Sequence, residues 1–105
     1  MNKPKLSLKR QAKKDVEFIV AYIATDNPDI AKRFFTAFKS MLPLLIDMSE
    51  IGRECDFKNE FLFKIRMIHI VKFPRYFIFY RKTGSKIEVL RVLHGARDLP
   101  IILEL

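Results

Sequence analysis

A chain of 105 residues, half of them hydrophobic, carries one small domain over residues 1 to 105 and excludes wholesale disorder. A single cysteine, Cys55, excludes an internal disulfide and a thiolate metal site, as expected of a reducing cytoplasm. Twenty Lys and Arg against twelve Asp and Glu leave a net charge of +8, a field that attracts nucleic acid, an anionic surface or an acidic protein.

The basic start, Met1-Asn2-Lys3-Pro4-Lys5, leads into no apolar leader. No apolar run approaches the ~18 residues that a membrane span needs, so a soluble, cytoplasmic protein without membrane association is expected. Leu6 and Leu8 alternate with Ser7 and Lys9, the period of a short strand. Ala12, Val16, Ile19, Val20 and Ile23 then recur at helical spacing, opposite Lys13, Lys14 and Glu17, and the helix should stop near Thr25. Asn27-Pro28-Asp29 is a start signal for a second helix: Asn27 caps free N–H groups, Pro28 suits the first helical position, and Asp29 complements the positive helix end. Its stripe runs through Ala31, Phe34, Phe35, Phe38, Met41, Leu42 and Leu45, and the tight connection predicts an antiparallel helix hairpin. Pro43 removes an internal hydrogen bond and predicts a kink or break there.

Glu50 to Asn59 is polar, contains Gly52 and reads as a loop; from Leu62 onward the pattern is β. Phe63-Lys64-Ile65-Arg66-Met67 alternates, and Tyr76 to Tyr80 and Ile87 to Leu93 are rich in β-branched and aromatic residues. A two-residue turn at Gly84-Ser85 pairs Arg81 with Glu88. Strict alternation then sets Phe77, Phe79, Leu90, Val92 and His94 on one face, and Tyr76, Ile78, Tyr80, Ile87, Val89, Arg91 and Leu93 on the other. Asp98 is positioned to cap a short apolar C-terminal helix. The expected architecture is α+β, in the order β-α-α-β-β-β, with an antiparallel sheet packed on one face by the helix hairpin.

Neither histidine, His69 nor His94, stands in a metal-binding spacing, and phosphate-cradling glycine loops and nucleophile elbows are absent, so no cofactor or metal is expected. The arginines carry more information, because a guanidinium on a sheet must meet water, a carboxylate or a phosphate. Arg66, Arg81 and Arg91 fall in predicted strands, Arg75 and Arg97 at strand ends, and Arg53 follows Gly52. Either they form structural pairs, such as Arg81 with Glu88 and Arg97 with Asp98 or a carbonyl, or they make a basic face for an acidic peptide or RNA. His94, close to Arg91 and Arg97, has two readings as well: a bond to the turn that Gly95 opens, or a general base on a ribose hydroxyl.

Val89-Leu90-Arg91-Val92-Leu93-His94-Gly95-Ala96-Arg97-Asp98-Leu99-Pro100 resembles the ParE branch of the RelE/ParE toxin superfamily. Tyr22-Ile23-Ala24 with Asp26-Asn27-Pro28, Ile51-Gly52-Arg53, Phe73-Pro74 and Ile78-Phe79-Tyr80-Arg81 extend the likeness along most of the chain. The resemblance implies the fold order given above and a toxin of a type II toxin-antitoxin system. Such a toxin is neutralised in a hetero-oligomer by a cognate, ParD-like antitoxin, and its implied target is DNA gyrase. On this reading Arg53, Arg66, Arg75, Arg81, Arg91 and Arg97 bind antitoxin or target, direct nucleic-acid contact is not required, and no residue is catalytic. The RelE-like alternative is a ribosome-dependent mRNA endoribonuclease using His94, Arg91, Arg81 and Arg97, although no tyrosine follows Tyr80 to serve as the late acid-base group of that branch. A third possibility is a degenerate toxin acting only as a protein-binding module.

Overall fold

The computed structural model describes residues 3–55 and 64–104. In chain order these form β1 (Lys5–Leu8), α1 (Arg10–Asp26), α2 (Pro28–Asp47), β2 (Arg53–Glu54), β3 (Arg66–Ile70), β4 (Phe73–Thr83), β5 (Lys86–His94) and α3 (Leu99–Leu103). The strands join one sheet in the order β1-β5-β4-β3-β2. All neighbours are antiparallel except β1, which lies parallel to β5, so the chain crosses over through both helices and three strands before that pair closes.

The helix hairpin forms as the start signal predicts. Asn27 ends α1 and caps α2, its side chain accepting from the Asp29 and Ile30 N–H groups at 3.1 Å. The stripes Ala12-Val16-Ile19 and Phe34-Phe38-Met41-Leu45 are buried against Ile70, Ile78, Tyr80, Ile87, Val89 and Val92 of the sheet, and Ala31 is buried as well. The expected break at Pro43 does not occur, and α2 runs on to Asp47. Pro43 and Lys39 both lie on the exposed side, where the carbonyl the proline leaves without an intrahelical donor is open to solvent. Within the expected loop, Arg53 and Glu54 pair with Met67 and Arg66. Leu62, Phe63 and the loop residues 56–59 lie outside the described residues, and β3 begins at Arg66.

The turn-proximal half of the last hairpin has the expected register. Arg81 faces Glu88, Thr83 faces Lys86, and Gly84 takes the left-handed φ of 61°. Beyond it the register shifts: Phe79 pairs with Arg91 and Tyr80 with Val89, which leaves Leu90 as an extra residue in β5. This bulge reverses the parity of the rest of β5. Val92 therefore joins the helix-side core with Ile87 and Val89, whereas Leu93 joins Phe79 and Ile65 on the outer face, opposite to the strict alternation expected. His94 moves with Val92 and sets its ring edge-on to Tyr76, 5.1 Å between centroids.

Candidate functional site

Asp15 is the feature that organises the bulge. It sits on the buried stripe of α1 and is 8% exposed. Its Oδ2 accepts from Arg91 Nε at 2.8 Å and from the Val92 N–H at 3.0 Å, and its Oδ1 accepts from Arg91 Nη2 at 3.0 Å. A two-toothed guanidinium-carboxylate pair of this kind is directional as well as strong. It satisfies the backbone amide beside the bulge and holds the Arg91 pKa above its usual value, chiefly through the hydrogen bond that Arg91 donates to Asp15.

His94 begins a compact turn. Its backbone N–H donates to Asp98 Oδ2 at 2.8 Å, its carbonyl accepts from the Asp98 N–H, and its Nδ1 accepts from the Arg97 N–H at 2.9 Å. That last bond assigns the proton of the neutral ring to Nε2. Gly95 donates to the Arg75 carbonyl at 2.8 Å, and a Cβ there would stand 2.8 Å from the Phe77 ring, so a side chain has no room. Asp98 stands at the N-cap of α3 without a side-chain cap bond, its carboxylate being committed to His94.

Arg97 projects from this turn over the Tyr22 ring of α1 at 4.8 Å and lies 6.0 Å from the Tyr76 centroid. Burial opposes its charge, but the Tyr76 hydroxyl and the nearby Asp98 outweigh that and raise its pKa. Tyr76 touches Phe34, which touches Phe73, at centroid separations of 5.1 and 5.2 Å. A ladder of rings thus ties both helices to the end of the sheet.

The remaining arginines separate. Arg81 meets Glu88 at 3.4 Å, and Lys9 approaches the same carboxylate at 3.1 Å. The Lys9 bond is the largest of the influences that depress the Glu88 pKa. This cluster lies at the turn end of β4, roughly 17 Å along the strand from Tyr76 and its partner His94, at ~3.3 Å per residue. Arg66 braces the segment between α2 and β2: its Nη1 donates to the Gly52 and Glu50 carbonyls at 2.6 and 3.2 Å, and its Nη2 meets Glu54 at 3.2 Å. The fully buried Tyr80 completes that brace, donating to the Ser49 carbonyl and accepting from the Gly52 N–H, each at 2.9 Å.

Arg53 and Arg75 are both exposed and line one groove of about 610 Å³ on the outer sheet face. Arg53 reaches Met67 Sδ at 3.4 Å; neither guanidinium has a carboxylate partner among the described residues. Cys55 lies nearby, its thiol pKa raised by burial and partly offset by Arg53.

The structure therefore brings His94 close to Arg97 and joins Arg53 to Arg75, but leaves Arg81 remote and engages Arg91 with Asp15. Sequence reasoning did not single out Asp15, although one carboxylate on an otherwise apolar helix stripe is a readable signal of a buried partner. It also passed over the rings of Tyr22 and Tyr76 as a seat for Arg97. Among the described residues no three His, Cys, Asp or Glu side chains cluster as metal ligands would, and no helix is long and apolar enough to cross a membrane.

Residues 6–99 match the family model described as the ParE toxin of the type II toxin-antitoxin system parDE. No curated protein sequence matches the chain significantly. Among solved structures it is similar to a chain of the chromosomal ParDE toxin-antitoxin system of P. aeruginosa, at TM-score 0.69 and 17% identity, covering 87% of this chain and 95% of that one. It is also similar to a chain of the E. coli DinJ-YafQ toxin-antitoxin complex, at TM-score 0.60 and 16% identity, covering 90% and 96%. At these identities the structures establish a shared fold.

Proposed function

We propose, from the premise that the chain belongs to the ParE toxin family of type II toxin-antitoxin systems, that it arrests growth by binding DNA gyrase in the cytoplasm rather than by cutting RNA. The observation that carries this reading is the state of the nuclease candidates. Arg91 is spent on Asp15, Arg81 lies at the far end of its strand, and His94 Nδ1 is occupied by the Arg97 N–H. A general base needs a free lone pair within reach of the proton it removes, and phosphate cleavage needs its cations converging on one point. A protein that works by docking needs neither.

Inhibition of the toxin is assigned to a ParD-like antitoxin in a hetero-oligomer. The two structural neighbours come from toxin-antitoxin systems, and the surplus of eight positive charges favours an acidic partner. The test is a plasmid supercoiling and cleavage assay with purified gyrase. Linear DNA accumulating with added protein, unchanged by His94→Ala, is the expected result. Folded protein that leaves gyrase untouched would refute the target. Ribosome-dependent mRNA cleavage that falls by roughly two to four decades in His94→Ala would carry the nuclease reading instead.

A further inference from the structure

A cleft of about 580 Å³ lies between α2 and the turn that joins β3 to β4, and it shares no residue with the groove between Arg53 and Arg75. Lys32 and Arg33 of α2 and Lys72 of the turn line it, all three exposed, and no aspartate or glutamate does. None of the three meets a carboxylate among the described residues. Nor does α2 carry an acid between Asp29 and Asp47 to offset them. Thr36 adds a hydroxyl, while Ile30, Val71 and Phe73 supply apolar wall. Phe73 is fixed there by its edge-on contact with Phe34, 5.2 Å between centroids. The volume falls within the roughly 300 to 1,000 Å³ of small-molecule sites, which are likewise apolar with a few polar groups. Lys72 is unusual in a further way. Its φ of 73° suits glycine, so the chain bears backbone strain to keep a cation beside this cleft.

We propose that this cleft binds a nucleoside diphosphate, its phosphates on Lys32, Arg33 and Lys72 and its base against the apolar wall. Two phosphate groups bring a negative charge comparable to the three cations. A guanidinium forks onto phosphate oxygens or stacks on a base plane, and the two ammonium groups act as point charges. A duplex backbone suits the cleft less well, because phosphates along a solvated ridge leave Ile30, Val71 and Phe73 uncovered. A bare anion leaves them uncovered as well. The site is independent of the gyrase reading, since it needs no macromolecular target and no catalytic group.

The test is isothermal titration calorimetry of the full chain with ADP in magnesium-free buffer, so that side-chain cations alone neutralise the phosphates. Saturable binding is expected, with pyrophosphate and adenosine each at least about tenfold weaker because each engages only part of the cleft. Arg33→Ala/Lys72→Gly should weaken ADP about tenfold or more, from the loss of two charged hydrogen-bonding partners. Glycine relieves the strained φ, so this variant keeps its fold, which a thermal melt followed by circular dichroism checks. The control variant Lys13→Ala/Lys14→Ala removes the same charge from the exposed side of α1 and should stay within about twofold of the parent. No saturable binding of ADP by the folded parent, unchanged affinity in Arg33→Ala/Lys72→Gly, or equal weakening in both variants would overturn the site. Pyrophosphate or adenosine binding as tightly as ADP would overturn the occupant, as would a short DNA duplex that binds through Arg33 and Lys72 more tightly than ADP does.

Discussion

Replacing Asp15 by alanine tests the keystone of the fold. The substitution removes every acceptor that Arg91 and the Val92 N–H have in common, leaving a largely buried guanidinium and a buried amide unsatisfied. Breaking a buried pair from one side costs about 3 to 5 kcal/mol, and the orphaned amide carries a penalty of its own of about 1 to 3 kcal/mol. A domain of this size has about 5 to 15 kcal/mol in hand, so Asp15→Ala should give up about a quarter of it or more. With about 4 to 8 °C lost per kcal/mol, the lower figure of 3 kcal/mol alone lowers the melting temperature by about 12 to 24 °C. Chemical denaturation followed by circular dichroism measures this directly. The double variant Asp15→Leu/Arg91→Met should recover part of the loss, since neither charge is then stranded, yet stay below the parent because the Val92 amide remains unpaired. A cost below about 1 kcal/mol for Asp15→Ala, or additive costs in the double variant, would refute the claim that this pair holds the bulge.

Four further outcomes are expected. Gly52→Ala places a methyl 2.6 Å from Tyr80 Oη and should destabilise by about 1 to 3 kcal/mol in urea unfolding. Tyr80→Phe should cost a similar ~1 to 3 kcal/mol by stranding the Gly52 N–H and the Ser49 carbonyl. Lys72 holds a left-handed φ of 73° in the β3–β4 turn, so Lys72→Gly should stabilise by up to about 1 kcal/mol in the same assay. Because the Glu88 pKa is depressed on folding, the Lys9-Glu88-Arg81 cluster contributes fully above the usual carboxylate value of 4.5 and loses its contribution as pH falls through the lower folded value; in Glu88→Gln the stability profile should be flatter across that acid window.

What was legible in the chain was whatever local spacing determines. The two helix stripes, the Asn27-Pro28 junction and the Gly84-Ser85 turn each depend on neighbours within a few residues, and each stands where that chemistry puts it, except that Phe35, expected on the α2 stripe, falls beside it and is exposed. The parity of β5 beyond Val89 was not legible, because the residue that stabilises the bulge, Asp15, is 76 positions from Arg91 in the chain. The same separation hid the fate of the arginines. Their positions could be read, but whether a guanidinium meets Asp15, Tyr22 or water depends on which helix face crosses which strand. Arg81 with Glu88 is the instructive exception, a long-range pair that a single turn geometry makes local. Pro43 failed as a breaker for the opposite reason: a general rule about helices yielded to a solvent-facing position and a well-packed buried stripe.

The parallel partnership of β1 with β5 sets a timetable for synthesis. Strand β1 leaves the ribosome first, but its partner ends at His94, 86 residues later, which at ~5 to 20 residues per second is a delay of roughly 4 to 17 s. Until β5 is made, the helix hairpin lacks Ile87, Val89 and Val92, which close the core over Phe34, Phe38, Met41 and Leu45. A nascent or prematurely terminated chain therefore presents the sticky stripe that chaperones and proteases recognise, and the completed fold arrives only with the final strand. A chain that stops short of Lys86 has no strand to join β1 to the rest of the sheet, so the last strand made is the one that closes the fold.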